Sequence, residues 1–186
     1  TFGGINLEDI KAPECFEIEK RLKNELKIPI MHDDQHGTAI ISAAALINAL
    51  ELARKKINEG NMAGSGAGAS AISCAKLYIA LGAKQQNIVM LDSTGVIRAD
   101  RSDLDDNKKL FATKRDIHTL DEAMKNADVF LGLSKGNIVS KEMVKSMAKK
   151  AIVFALANPD PEITYNDARD SREDIIIATG RSDFPN

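Results

Sequence analysis

Short runs of β-branched and aliphatic residues alternate with helix-patterned segments along nearly the whole chain, and this alternation restricts the fold more than any other feature. Residues 28–31, 87–91, 128–131, 151–156 and 174–178 read as strands. Residues 38–54, 69–81, 120–126 and 140–149 read as the helices between them. Strands separated by helices form βαβ units, which predicts an α/β fold with a doubly wound, mostly parallel sheet. The continuous apolar run Ile88-Val89-Met90-Leu91 suits a strand covered on both faces. The helix over 38–54 carries Ile40, Ala44, Leu46, Ile47, Leu50 and Leu52 around much of its circumference and is expected to be buried. Gly82 is placed to end its helix in the left-handed conformation, and Thr119 and Ser140 to cap theirs. The charged stretch 100–115 reads as a solvated loop with one helical turn. Nearer the start, residues 2–10 read as a strand ending in acids, and Pro13 with Glu14 and Glu17 opens a helix.

Gly66-Ala67-Gly68-Ala69-Ser70-Ala71 has the form GxGxxA at the start of a helix. The first glycine permits a tight turn, the second lets backbone approach a pyrophosphate, and the amides at the helix start face the anion. Asp92 ends the following strand, where an acid meets an adenosine ribose. Loop, helix, strand and acid in that order point to a Rossmann-type dinucleotide site; the alternative is a turn that is small-residue for packing alone. One feature resists. Residues 60–65, the expected first strand, hold two glycines and no β-branched residue, so their β-propensity is poor.

The other concentration of chemistry is Glu8-Asp9 and His32-Asp33-Asp34-Gln35-His36-Gly37. Both groups follow predicted strands, where open α/β sheets bind ligands. Neighbouring strand residues point to opposite faces, so Glu8 and Asp9 can share an ion only where the strand breaks, and Ile10 to Pro13 offers a break. Three carboxylates make a hard oxygen site suited to Mg²⁺ or Mn²⁺. Helix capping is the competing role for the acids. For His32 and His36, capping or ordinary hydrogen bonding is expected rather than zinc ligation.

A length of 186 residues suits one domain, or one domain and part of another. A net charge of −2 gives no electrostatic footprint for nucleic acid. No signal peptide opens the sequence, and no uninterrupted apolar run reaches the ~18 residues of a membrane span. Cys15 and Cys74 lack metal or redox spacing and suit a reducing cytoplasm. A chain opening on Thr1, mid-strand, is expected to be a piece of a longer protein.

Taken together, residues 2–16, His32 to Ala39, Gly66 to Ala69, Asp92 to Ile97, Ala155 to Ile163 and Thr179 to Asn186 closely resemble the bacterial-type malic enzymes. The resemblance implies oxidative decarboxylation of malate to pyruvate and CO₂ with NAD or NADP, in a cytoplasmic homo-oligomer acting without nucleic acid or membrane. It implies that residues 1–35 end a substrate- and metal-binding domain and that residues 36–186 form an NAD(P)-binding domain, incomplete at its end. By the same resemblance Glu8, Asp9 and Asp34 hold Mg²⁺ or Mn²⁺, with Asp33 orienting catalytic side chains beside them. Gly66, Ala67, Gly68, Ala69 and Ser70 bind the pyrophosphate, and Asn158 lies by the nicotinamide and substrate. Asp92 bonds the ribose, or Arg98 and Arg101 meet a 2′-phosphate, which leaves NAD and NADP both open. The family's acid–base tyrosine and lysine belong upstream of these motifs, and Tyr78 and Tyr165 do not stand in that context. A malolactic enzyme and a non-catalytic nucleotide-binding module are the rival readings.

Overall fold

The structure, a computed structural model, describes residues 2–184. Pro185 and Asn186, the end of the last quoted motif, lie outside the described residues, as does Thr1. The N-terminal part pairs strand β1 (Ile5–Leu7) in parallel with β2 (Ile30–His32), with helix α1 (Glu14–Glu25) between them. β1 is shorter than the expected strand over 2–10, because Asp9 takes a left-handed backbone (φ +57°) that ends the extended run.

Helix α2 (Asp33–Ala53) follows β2 without a loop. It starts five residues before the predicted boundary at 38, so Asp33 and Asp34, directly after the carboxyl end of β2, already sit in its first turn. Acids are favoured there by the helix dipole, and Gly37 within the helix makes room: a Cβ would stand 2.4 Å from Asp33 Oδ1. By length and composition α2 would suffice to cross a membrane, yet Ala39, Ala43, Leu46, Leu50 and Ala53 on one side are buried within the protein.

The main sheet adds β3 (Met62–Ser65), β4 (Ile88–Asp92), β5 (Gly95–Val96), β6 (Val129–Gly132), β7 (Ile152–Ala155) and β8 (Ile176–Thr179). Their spatial order is β5-β4-β3-β6-β7-β8, parallel throughout except for β5 against β4. Residues of β3, β6 and β7 alternate between two cores. Met62, Val129, Leu131, Ile152 and Phe154 face α2 and α3 (Ala69–Ala80), whose Leu46, Ile72 and Ala75 join the same cluster. Ala63, Phe130, Val153 and Ala155 face the other side, with residues of α5 (Leu120–Met124), α6 (Lys141–Ser146) and α7 (Tyr165–Ser171). This is the doubly wound architecture that the alternation predicts.

β3, the strand with poor local preference, is the middle of the sheet. All four of its residues are buried between β4 and β6. The segment 100–115 holds one helical turn, α4 (Asp106–Lys109), capped by Asp105. Gly82 is left-handed (φ +113°), and Thr119 and Ser140 cap α5 and α6 as expected, Thr119 in a full capping box with Glu122.

Candidate active site

The order of strand addition reverses between the parallel neighbours β3, from which the chain passes to β4 on one side, and β6, from which it passes to β7 and β8 on the other. The loops leaving these two strands therefore part, and a crevice opens at their carboxyl ends. Gly66 makes the first of these turns with φ +121°, and a Cβ there would stand 2.5 Å from the carbonyl oxygen of Leu133. Only glycine fits. Gly68, at the start of α3, has no atom within 4 Å of where its Cβ would be, and no side chain caps the helix. The α3 amides are thus left for an anion, and the missing side chain lets that anion approach. The residues present fit a dinucleotide pyrophosphate.

A cleft of about 540 Å³ lies on one side of this turn, lined by Gly66, Ala67, Gly68, Asp92, Lys108 and Ser134 among others. On the other side a cleft of about 760 Å³ is lined by Asp34, Thr38, Ile41, Ser70, Asn158 and residues 178–182. Leu133 is a wall of both. Asn158 reaches the second cleft from the loop after β7. Ser70 reaches it too, but its hydroxyl donates to the carbonyl oxygen of Asp34, so in this structure it joins α3 to α2.

Asp92 does end β4, as the ribose-binding acid should, but it is already occupied. Arg101 donates to both of its oxygens at 2.9 Å, Lys108 to one at 2.9 Å, and Thr94 through its amide at 3.0 Å and its hydroxyl at 2.7 Å. Burial alone would raise the Asp92 carboxyl, but these donors, Arg101 foremost, hold it well below the usual carboxylate range. Arg98 is engaged separately by Asp100 and Asp116. The sequence presented Asp92 and Arg101 as alternatives; the fold makes them partners.

The acids near the N-terminus meet because β1 and β2 run in parallel, with Leu7 opposite His32. The backbone N–H of Asp9 donates to Asp34 Oδ2 at 3.0 Å. Behind this contact His32 is fully buried, its Nε2 3.5 Å from the same oxygen, and neither ring nitrogen has a hydrogen-bond partner. His36 instead bonds Glu19 at 2.9 Å, tying α2 to α1. Asp33 folds back over Gly37, and no hydrogen bond or ion pair among the described residues joins Glu8 to Asp34. The carboxylates of Asp9 and Asp34 are of the right kind for a hard cation. Among the described residues, however, no three His, Cys, Asp or Glu side chains gather into a metal-holding group, so the expected convergence of all three acids is not seen.

Sequence reading passed over Glu162. It lies in the loop between β7 and α7, wholly buried, with its carboxylate accepting from the amides of Ser134 and Ala157. Burial pushes its carboxyl up. The signal available beforehand was indirect: Gly132 at the end of β6, where a Cβ would strike the Glu162 carboxylate at 2.3 Å.

A family model described as the NAD binding domain of malic enzyme matches residues 35–186. The chain belongs to the malic enzyme family. It is 53% identical over its full length to an NADP-dependent malic enzyme of Halomonas elongata, covering 44% of that protein. It is 52% identical to an NAD-dependent malic enzyme of Rhizobium meliloti, covering 24% of it. The crystal structure of Entamoeba histolytica malic enzyme superposes on the entire chain with a TM-score of 0.93 at 42% identity, and the chain covers 40% of that structure. The chain thus spans less than half the length of these malic enzymes.

Proposed function

We propose that the whole protein to which this chain belongs oxidatively decarboxylates malate: malate and NAD(P)⁺ become pyruvate, CO₂ and NAD(P)H. The observation that carries the reading is the placement of Asp34 and Asn158 on one cleft that meets the glycine-turn cleft at Leu133. A dinucleotide across that ridge would bring its reactive ring towards the acid.

When bound, the dinucleotide supplies the hydride acceptor and a divalent ion such as Mg²⁺ or Mn²⁺ supplies Lewis acidity. Gly66 to Ser70 bind the pyrophosphate through backbone amides. Asn158 orients the nicotinamide and substrate from the β7 loop. Glu8, Asp9 and Asp34, not gathered into one group in this structure, would have to draw together to hold the ion, with Asp34 oriented by the Asp9 amide and backed by buried His32. Asp33, in the same first turn of α2 with its carboxylate over Gly37, orients catalytic side chains beside them. Ile41, Ala45, Leu133, Phe154 and Leu156 line the second cleft and keep water from the reacting carbons. The cofactor is NAD or NADP, as relatives named for each are nearly equally similar to this chain. In this reading residues 1–35 complete the substrate and metal domain, residues 36–186 form the cofactor domain, and the protein is a cytoplasmic homo-oligomer.

Replacing Asp34 in the full-length protein tests this. Asp34→Asn keeps the shape but removes the anionic donor. Mn²⁺-dependent malate oxidation is expected to fall by about a hundredfold or more, with NAD(P)H binding retained. Unchanged Mn²⁺-dependent activity would overturn the assignment.

A further inference from the structure

Glu162 is a buried acid with no cationic partner among the described residues, an arrangement that costs free energy unless hydrogen bonds offset it. It is 0% exposed, and each carboxylate oxygen takes one backbone donor: Oε1 from Ser134 N–H at 3.0 Å, Oε2 from Ala157 N–H at 3.1 Å. Its own carbonyl accepts from Val139 N–H at 2.9 Å. Glycine at 132 leaves the slot that the carboxylate fills. A hydrocarbon side chain would occupy the same space but leave the amides of Ser134 and buried Ala157 without this acceptor.

The two donors belong to different loops. Ser134 follows Leu133 on the loop leaving β6, and this loop is fastened to the glycine turn. Leu133 N–H donates to Ser65 O at 2.8 Å, and the Ser134 and Ser65 hydroxyls lie 2.9 Å apart. Ala157 immediately precedes Asn158 on the loop leaving β7. One carboxylate therefore spans from the wall shared by both clefts to the residue that reaches the nicotinamide side.

Resting on the dinucleotide reading above, we propose that Glu162 is a positioning residue: its carboxylate sets the spacing between the Leu133–Ser134 wall and Asn158, and so determines how the nicotinamide half of the cofactor is seated. It touches neither cofactor nor substrate. The adenosine half, held by the glycine turn and the β4 end, does not depend on this link.

The test is binding by the full-length protein, with NADH and NADPH followed by nicotinamide fluorescence and ADP as a probe that carries the pyrophosphate without nicotinamide. Glu162→Gln keeps the side-chain volume but turns one acceptor into a donor. It is expected to weaken binding of the reduced dinucleotide by about tenfold or more, the scale of one lost hydrogen bond to a charged group. The fluorescence change of the bound nicotinamide should shrink, while ADP affinity stays within about twofold. Parallel loss of both ligands, or no loss of either, overturns the proposal. If Glu162→Gln does not fold, Glu162→Asp keeps both acceptor oxygens on a shorter stem and is read by the same criteria. Failure of both variants to fold overturns the proposal, because the residue then serves stability alone. A wild-type protein that binds dinucleotide but does not oxidise malate would defeat the functional reading and leave this test intact.

Discussion

The Ser70 hydroxyl donates to the main-chain carbonyl oxygen of Asp34, joining the first turn of α3 to the first turn of α2. The glycine turn and the acid thus share one rigid joint, although they are 36 residues apart in sequence.

Ser70→Ala should loosen that joint. Loss of one partly buried hydrogen bond is expected to lower stability by about 1 kcal/mol, measured by urea unfolding. In the full-length protein the Mn²⁺ concentration for half-maximal activity should rise, because Asp34 is less firmly held. An unchanged metal requirement would show that the joint serves folding only.

Gly66 and Gly68 should respond oppositely to alanine. Gly66→Ala places a Cβ at 2.5 Å from the Leu133 carbonyl oxygen in a left-handed backbone, so it should cost about 1–3 kcal/mol in stability. Gly68→Ala meets nothing within 4 Å, so stability should change by less than about 0.5 kcal/mol. Its methyl would nevertheless stand where the pyrophosphate must approach, and NAD(P)H affinity should fall by about tenfold or more. Fluorescence titration beside thermal unfolding separates the two effects.

Acid should weaken the fold through Asp92. Its carboxyl is depressed in the folded state relative to an unfolded value of about 3.9. The stability this supplies is complete above that value and is lost as pH falls through the lower folded one. Asp92→Asn should therefore lose about 2 kcal/mol at neutral pH and show a flatter fall in stability below about pH 4. Unfolding curves at several pH values check both.

The 186-residue chain alone should bind dinucleotide if it folds, yet turn over malate negligibly against the usual ~10 s⁻¹. The chain covers 44% of the Halomonas elongata enzyme and 40% of the Entamoeba histolytica one, so most of either enzyme lies outside the matched region. Steady-state assay of the purified chain decides.

The strands β4, β6 and β7 and the glycine turn were readable because their signals are local: aliphatic runs, and glycines at fixed offsets before a helix. β3 was expected only from its place before the glycine turn, because Met62, Ala63, Gly64 and Ser65 have little strand preference of their own; β4 and β6 on either side make them a strand, and tertiary pairing overrides the weak local signal. The early start of α2 was hidden by a polar opening, Asp33 to Gly37, whose helical fitness depends on the dipole and on a carboxylate folded over a glycine. Asp92 and Asn158 could be placed at strand ends, but the Arg101 and Lys108 hold on Asp92 depends on where the chain returns after β5. Glu162 reads as an ordinary loop acid. Only the folded chain shows it enclosed beneath two loops.

Asp34 stands at one end of α2, while Thr38, Ile41, Ser42 and Ala45 of the same helix line the cleft beyond it. A rod of 21 residues cannot tilt at one end without carrying the other. The acid and the cleft wall of Thr38, Ile41, Ser42 and Ala45 therefore belong to one stiff body, so the width of that cleft and the placement of Asp34 are mechanically linked.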